Sequence, residues 1–432
     1  MEKVNIFWFR RDLRTDDNHG LFAALNVGLP VVPVFIFDPA ILAQFPNPKD
    51  PRLTFIHRCL TDLNREFEKH GSSLQVYFSS PEVVFKQLAA KYSVQCVFTN
   101  TDYEPAAIDR DLHVERLLNS LGIGFEALKD QIIFHHNEVV KNDEAPYTVF
   151  TPYSKKWKEK LAEEEIRFYD SEKLLFRLKP MSAGYFPELS EIGYQPQTVK
   201  FPDKNFDQFL IENYVKMRDF PAQNGTSHLG IHLRFGTISI RKLTLFAQQY
   251  SAVFLNELIW RNFYMDILWH FPYVVNKSFK PAYDFIPWLN NESEFDRWCA
   301  GQTGYPIVDA GMRELNETGF MHNRVRMVVA SFLTKHLLID WRWGEAYFAE
   351  KLLDYELASN NGGWQWASGS GCDASPYFRI FSPELQTKKF DPQLKYIRKW
   401  VPEFETFTYP KPIVDHSFAR NRAIETYRKA LN

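Results

Sequence analysis

Short apolar runs alternate with longer amphipathic segments over the first third of the chain, and this alternation limits the fold more than any other feature. The apolar runs cover residues 4–9, 31–37, 74–78, 94–99 and 131–134. Apolar residues at helical spacing cover residues 52–70, 81–92 and 106–121, between those runs. Strands separated by helices of this length favour a parallel sheet. The sequence therefore predicts a parallel α/β domain over residues 1–135.

The segment after the first apolar run differs from a standard dinucleotide site. Residues 10–18 carry alternating Arg and Asp side chains and no glycine-rich GxGxxG turn. That turn lets a backbone approach a pyrophosphate, so its absence disfavours a nicotinamide-binding site. The alternating charges predict a cluster of ion pairs.

The remaining two thirds of the chain change character twice. Residues 136–205 are rich in Pro, Lys, Glu and Tyr, and we interpret them as a long interdomain linker. Apolar residues then recur at helical spacing in the segments 240–250, 253–271, 292–300, 306–318, 322–339 and 344–357. A second, all-helical domain is therefore expected over residues 206–432.

Composition excludes several classes of protein. The formal net charge of −2 excludes a cationic surface as the basis of nucleic-acid binding, although it allows a local basic groove. The four cysteines are widely spaced and form no CxxC pair, which indicates no metal site and a reduced, cytoplasmic setting. The sequence shows no signal-peptide pattern and no apolar run of about 18 residues, so we expect no membrane association.

One mixed polar and aromatic face is a candidate binding surface. Glu257, Trp260, Arg261 and Tyr264 share a face if this segment is helical, because positions three and four apart are neighbours on a helix. A core face would exclude the two charges, and a solvated face would not favour the two aromatic rings. The mixture favours a surface for a flat, polar ligand. An amphipathic helix at a domain interface is the alternative.

Residues 354–366 combine two acids, two amides, two glycines and two indoles. The run 360–363 (Asn-Asn-Gly-Gly) suits neither helix nor strand, and paired glycines allow a close approach to a flat group. Trp364 and Trp366 point to roughly opposite sides of either kind of backbone. This arrangement fits an aromatic ligand on one side and a second cavity on the other. A turn between helices with two buried tryptophans is the alternative.

Three further groups have local alternatives. Asn323 and Met327 share a helix face, whereas Arg326 points elsewhere and is expected to pair with Asp354. The segment 225–227 (Gly-Thr-Ser) fits either phosphate binding or simple helix capping. Three tryptophans lie in separate segments of the helical part, at Trp288, Trp341 and Trp364. Each of them, taken alone, is a core residue by default.

Taken together, these segments resemble the photolyase/cryptochrome family over essentially the whole chain. The resemblance rests on residues 7–14, 257–261, 303–313, 321–324 and 360–366, in that order. It implies a Rossmann-like parallel α/β antenna domain, a long linker and a C-terminal all-helical FAD-binding domain. Asn323 and Met327 make the class I cyclobutane pyrimidine dimer (CPD) photolyases the nearest subgroup, because (6-4) photolyases carry His at the first of these positions.

The resemblance also implies which residues bind FAD, act in catalysis, contact DNA and supply electrons to the flavin. Contacts to FAD are expected from Tyr214, Thr226, Ser227, His228, Leu229, Gly230, Arg326, Asp354, Tyr355, Glu356 and Asn360. Catalytic roles at the flipped dimer and the flavin are expected from Glu257, Trp260, Asn323, Met327, Asn360 and Trp366. Contacts to DNA are expected from Arg218, Glu257, Trp260, Arg261, Tyr264, Asn323, Arg324 and Gln386. Electron supply to the flavin is expected from Trp364, Trp341 and Trp288.

The implied activity is light-driven DNA repair, in which excited reduced FAD donates an electron to a CPD flipped out of the duplex. Photolyases in general flip their target, at lower cost for a damaged base. The expected partner is UV-damaged DNA, and the expected state is a monomer. The alternatives are a cryptochrome-type blue-light photoreceptor, a (6-4) photolyase and, least favoured, a light-independent flavoprotein oxidoreductase.

Three positions depart from the family pattern. Glu356 stands where Asp is usual, and its longer arm moves the carboxylate by about one methylene. Gly230 stands where Ser is common, which removes one phosphate contact. Ala107 stands where folate-binding members carry an acid. The second, antenna chromophore therefore stays open between methenyltetrahydrofolate, a deazaflavin, a second flavin and none.

Overall fold

Five parallel strands form the sheet in the computed structural model, which describes residues 1–182 and 184–431. The strands are β1 (Lys3–Phe9), β2 (Val31–Phe37), β3 (Gln75–Phe78), β4 (Ser93–Asn100) and β5 (Gly124–Leu128). Their order is β3-β2-β1-β4-β5, with Ile6 opposite Val32 at the centre. The intervening helices are α1 (His19–Asn26), α2 (Pro39–Leu42), α3 (Pro51–Lys69), α4 (Pro81–Lys91) and α5 (Pro105–Ser120). Helices between parallel strands bury both sheet faces, which explains the continuous apolar runs of β1 and β2.

The parallel α/β prediction is confirmed, but the position of its last strand is wrong. Residues 131–134 form bends, although Ile132, Ile133 and Phe134 are buried. The fifth strand lies earlier, at β5, on the edge of the sheet. None of the residues of β5 is buried, so its sequence has a weak apolar signal. The more apolar run, at residues 131–134, is buried but does not pair with a strand.

The alternating Arg and Asp side chains form the predicted cluster of ion pairs. They follow the carboxyl end of β1. Arg14 contacts Asp130 at 2.8 Å, and Arg241 contacts Asp17 at 2.8 Å and Asp130 at 2.7 Å. All four of these side chains are buried. Paired in this way, they offset the cost of removing charges from water.

Helices account for the regular structure of the C-terminal part, as predicted. Among the described residues from 206 onward there is no strand. The helices that follow the sheet are α6 (Phe150–Glu163), α7 (Gln208–Glu212), α8 (Tyr214–Met217), α9 (Gly230–Arg234), α10 (Ile240–Tyr250), α11 (Ala252–His270), α12 (Glu292–Cys299), α13 (Pro306–Thr318), α14 (Asn323–Ser331), α15 (Trp341–Lys351), α16 (Leu357–Ser368), α17 (Pro383–Phe390), α18 (Lys395–Trp400) and α19 (His416–Leu431). Short 3-10 turns occur at Ser171–Arg177, Leu189–Ile192, Pro272–Val275 and Pro281–Phe285, and a π-helical turn follows α14 at Phe332–His336. No helix in the described part of the chain is long and apolar enough to cross a membrane.

The chain divides into two compact units, and both are discontinuous in sequence. The first unit comprises Met1–His135, Lys160–Phe206 and His228–Phe246. The second comprises His136–Glu159, Asp207–Ser227 and Ala247–Asn432. Residues 136–205, interpreted as a linker, thus contribute to both units and contain α6. The domain ranges drawn from the sequence stay a prediction.

Candidate functional site

A cavity of about 400 Å³ in the second unit is lined mainly by α11, α14, α16 and the segment before α16. Fourteen of the residues proposed from the sequence line it, and they are Arg218, Glu257, Trp260, Arg261, Tyr264, Asn323, Arg326, Met327, Asp354, Tyr355, Glu356, Asn360, Trp364 and Trp366. The cavity has the size of a typical small-molecule site. Segments far apart in sequence therefore meet at one place.

Helix α11 presents the predicted mixed face to this cavity. The helix begins after Ser251, whose hydroxyl accepts a hydrogen bond from the Phe254 amide as an N-cap. Its buried residues, such as Leu258 and Ile259, lie between the cavity-lining positions. Glu257, Trp260, Arg261 and Tyr264 all line the cavity, which confirms that they share a face.

Glu257 is the carboxylate of this face, and Arg218 pairs with it. The Arg218 guanidinium donates a hydrogen bond to the Glu257 carboxylate. Burial raises the pKa of Glu257 above its ordinary value, and the Arg218 charge opposes that shift. If Arg218 moves away from Glu257, burial therefore favours the protonated form of the Glu257 carboxyl.

Helix α16 contains the run that the sequence assigned to neither helix nor strand. Residues 360–363 are helical, so the alternative of a turn between helices is wrong. Packing overrides the weak helix propensity: a Cβ on Gly362 would lie 2.2 Å from the Tyr264 ring. Trp364 is buried and Trp366 is half-buried, as their opposite directions on the helix require.

Two acidic residues just before α16 hold arginines at the cavity wall. Arg326 lines the same cavity as Asn323 and Met327, so the expectation that it points elsewhere is wrong. It donates to both carboxylate oxygens of Asp354 at 3.1 and 3.0 Å, which confirms the expected pair. Arg261 contacts Glu356 at 3.4 Å, with both side chains largely buried. Ser359 also donates to Glu356, at 3.2 Å. The longer Glu356 side chain is thus engaged by Arg261 and Ser359.

Asn360 is oriented by a carboxylic side chain that the sequence did not point to. Its amide donates to the Glu345 backbone oxygen at 3.1 Å and to the Glu345 carboxyl at 2.9 Å. Burial raises the pKa of Glu345. Glu345 lies on α15, and nothing in its sequence context distinguishes it from a surface glutamate.

Ten of the proposed residues do not line the cavity. Arg324 pairs with Asp219 at 2.6 Å and lies 4.3 Å from the centre of the Phe390 ring. Gln386 lies on α17. The others are Tyr214, Thr226, Ser227, His228, Leu229, Gly230, Trp288 and Trp341. Trp341 is buried at the start of α15, and Trp288 packs edge-on against Tyr427 with the ring centres 5.9 Å apart.

The short helix α9 follows the segment 225–227 and tests whether that segment caps a helix. Its N-cap position is occupied by Leu229, which has no oxygen on its side chain. Thr226 and Ser227 therefore do not occupy the N-cap position of α9. Their role toward a phosphate stays a prediction.

The lining of the cavity suits FAD, the cofactor that the family resemblance implies. Gly363 lines the cavity, and a Cβ added there would meet nothing within 4 Å. Phe348, Leu352 and Ala330 supply apolar lining, and Arg326, Asp354 and Asn360 supply polar lining. A flat ring system with one polar edge fits such a lining. Among the described residues, no group of three or more His, Cys, Asp or Glu is placed to hold a metal ion.

Comparison with known proteins gives the same family from sequence and from structure. Residues 5–169 match the family model of DNA photolyase, and residues 254–408 match that of the FAD binding domain of DNA photolyase. The chain is 36% identical to the deoxyribodipyrimidine photo-lyase of Synechococcus sp., over 98% of this chain and 96% of that protein.

Two solved structures are also similar over their whole length. The class III photolyase from Agrobacterium tumefaciens has a TM-score of 0.88 at 32% identity, covering 100% of this chain and 98% of that one. The archaeal photolyase from Sulfolobus tokodaii, solved with two FAD molecules, has a TM-score of 0.80 at 34% identity, covering 98% and 99%. The architecture, the FAD-binding segment and the full-length similarity agree, and the chain belongs to the DNA photolyase family.

Proposed function

We propose that this chain is a deoxyribodipyrimidine photolyase that uses light to split CPDs in DNA. The observation that carries the proposal is that two sets of residues line one and the same cavity. One set suits the flavin, with Arg326, Asp354 and Asn360, and the other suits a pyrimidine dimer, with Trp260 and Trp366. An electron must pass between cofactor and lesion, so the two need to be neighbours, and one cavity meets that need.

The two indoles supply flat surfaces for a flipped dimer. Stacking of a base on an aromatic side chain contributes about 1–3 kcal/mol and does not depend on the base. A dimer is already poorly stacked and paired, which lowers the cost of extruding it. Trp260 and Trp366 thereby favour a damaged site without reading the sequence around it.

Glu257, Asn323 and Met327 complete the dimer side of the cavity. A protonated Glu257 and the Asn323 amide can both donate hydrogen bonds to pyrimidine carbonyls. The raised pKa of Glu257 favours its protonated form once Arg218 turns to a DNA phosphate. Met327 adds a polarizable, adaptable apolar contact.

When bound, FAD supplies the light-excited electron, and the protein binds and orients the two partners. Arg326, Asp354 and Asn360 are proposed to hold the flavin edge. Trp364 lies between the cavity and a buried core that includes Trp341, and Trp288 packs on that core from a half-buried position. We propose these three indoles as the route of electron supply.

The test is repair of an oligonucleotide with a single thymine dimer by purified protein carrying chemically reduced FAD. Dimers should disappear under blue or near-UV light and persist in the dark. Replacement Glu257→Gln keeps the shape but not the acid, and it should slow repair because an amide cannot give up a proton as a carboxylic acid does. Failure of the wild-type protein to repair in light would refute the proposal.

The same assay separates the alternatives. An oligonucleotide with a (6-4) photoproduct should stay unrepaired, and its repair would move the chain to that subgroup. Flavin photochemistry with equal affinity for damaged and undamaged DNA would indicate a photoreceptor. Extraction of the bound pigments distinguishes methenyltetrahydrofolate, a deazaflavin and a second flavin. We further propose that the protein acts as a monomer in the cytoplasm.

A further inference from the structure

We propose that Phe150 is a positioning residue for Trp260, and that it sets how strongly the protein prefers dimer-containing DNA. The inference rests on the proposed function, because it assumes that Trp260 stacks on the lesion. Phe150 lies in the segment that the sequence assigned to a linker, and nothing in that sequence pointed to the site.

Phe150 stacks flat on Trp260. The two ring centres are 3.6 Å apart and the ring planes differ by 4°. The other aromatic neighbours of Trp260 are tilted or edge-on: Tyr264 at 5.4 Å and 34°, and Phe263 at 5.6 Å and 79°. Trp260 lines the cavity and Phe150 does not. Phe150 therefore covers one face of the indole and leaves the other face to the cavity.

Helix α6 holds Phe150 in this place through residues on one of its faces. Tyr153 donates a hydrogen bond to Asp266 on α11 at 2.7 Å, and Trp157 donates to Asn262 on the same helix at 3.2 Å. Positions 150, 153 and 157 share one helical face, so all three contact α11 together. The Phe150 amide also donates to the Asp373 carboxylate at 2.9 Å. The stacked ring is therefore anchored at both its backbone and its helix.

An anchored ring behind Trp260 reduces the orientations that the indole can adopt before DNA binds. Binding then loses less side-chain freedom, which is the physical content of preorganisation. Flat aromatic pairs of this kind change an equilibrium about 2- to 10-fold. The effect applies only to a ligand that stacks on Trp260, so it should change affinity for a flipped dimer and not affinity for the DNA backbone.

The test compares Phe150→Leu, which removes the ring but keeps an apolar side chain, with Phe150→Tyr, which keeps the ring. The FAD-loaded proteins are titrated in the dark with a duplex that contains one thymine dimer and with the same duplex undamaged. Phe150→Leu should bind the dimer duplex about 2- to 10-fold more weakly, with unchanged affinity for the undamaged duplex. Phe150→Tyr should match the wild type within 2-fold. Phe150 is only half-buried, and both variants should keep the wild-type flavin content and unfolding temperature.

Three results would overturn the inference. The first is unchanged dimer affinity in Phe150→Leu. The second is an equal loss in Phe150→Tyr, since that variant retains the stack. The third is a parallel loss of flavin or of affinity for both duplexes, which would mean that Phe150 acts on the fold as a whole. If the wild-type protein itself does not prefer the dimer duplex, the proposed function fails, and the two failures are thus distinguishable.

Discussion

Single residues of α16 show how closely the cavity wall is built. Gly362 and Gly363 are adjacent, yet their surroundings are opposite. A Cβ on Gly362 would meet the Tyr264 ring at 2.2 Å, whereas a Cβ on Gly363 would enter open space at the cavity. The first glycine is needed for packing within the protein, and the second leaves room for what the cavity binds.

We expect the two glycines to respond differently to substitution. Gly362→Ala should destabilise the protein by about 1–3 kcal/mol, because overpacking forces Tyr264 to move. Gly363→Leu should leave Tyr264 in place but occupy the cavity, and it should lower the flavin-to-protein ratio of the purified protein about 10-fold or more. The unfolding temperature and the flavin absorbance measure the two effects, and each variant serves as the control for the other. Full flavin retention in Gly363→Leu would contradict the assignment of this space to FAD.

At the scale of helices, α6 and α11 meet along a seam that is polar as well as aromatic. Asp266 is buried there and accepts hydrogen bonds from Tyr153 at 2.7 Å and Asn262 at 3.3 Å. Burial raises the pKa of Asp266 to about 8, and the two hydrogen bonds only partly oppose the shift. The carboxyl is therefore mostly protonated at neutral pH in the folded protein.

This seam should make stability depend on pH. Between about pH 4 and pH 8 the folded state holds a proton on Asp266 that the unfolded chain releases, so stability falls as the pH rises. The contribution of one such group is at most about 1.4 kcal/mol per pH unit. Asp266→Asn should flatten this dependence when thermal unfolding is measured at pH 5, 6, 7 and 8. Asp62→Asn, at an exposed position on α3, is the matched control and should follow the wild type. Parallel curves for Asp266→Asn and wild type would contradict the prediction.

The elements also show what the sequence could and could not predict. Strands β1, β2 and β4 were predictable because buried central strands read as continuous apolar runs. Strand β5 was not, because none of its residues is buried. Trp260 and Trp366 were predictable because their motifs are specific. Phe150 was not, because a lone Phe in a polar segment indicates neither its partner nor its direction.

For the molecule as a whole, the net charge of −2 means that DNA must be held by a few local cations. Two of the arginines proposed to contact DNA are already paired in the free protein: Arg218 with Glu257, and Arg324 with Asp219 at 2.6 Å. Asp219 also favours the charged form of Arg218. Under this proposal, DNA phosphates compete with internal carboxylates for these arginines, and we expect that competition to limit binding to undamaged DNA.

Removing one of these competitors should strengthen nonspecific binding. Asp219→Asn frees Arg324, and we expect affinity for undamaged duplex to rise about 3- to 10-fold at low salt. The slope of log affinity against log salt should become steeper by about 0.9, the value for one more phosphate contact. Titrations at several salt concentrations measure both quantities. Asp143→Asn, an exposed acid of the same unit, should change neither. An unchanged slope in Asp219→Asn would show that Asp219 does not compete with DNA.

The ion pairs of Arg241 have a consequence for biosynthesis. Arg241 neutralises Asp130, which lies 111 residues earlier in the chain, and Asp17, which lies 224 residues earlier. While the chain emerges from the ribosome, these carboxylates lack that guanidinium until residue 241 has left the exit tunnel. Asp130 can still pair with Arg14 during this time, whereas Asp17 lacks its arginine partner. A buried charge without its partner is strongly destabilising, so the α/β unit is incomplete as an early cotranslational intermediate. Its completion is therefore coupled in time to the synthesis of segments that belong to the other unit.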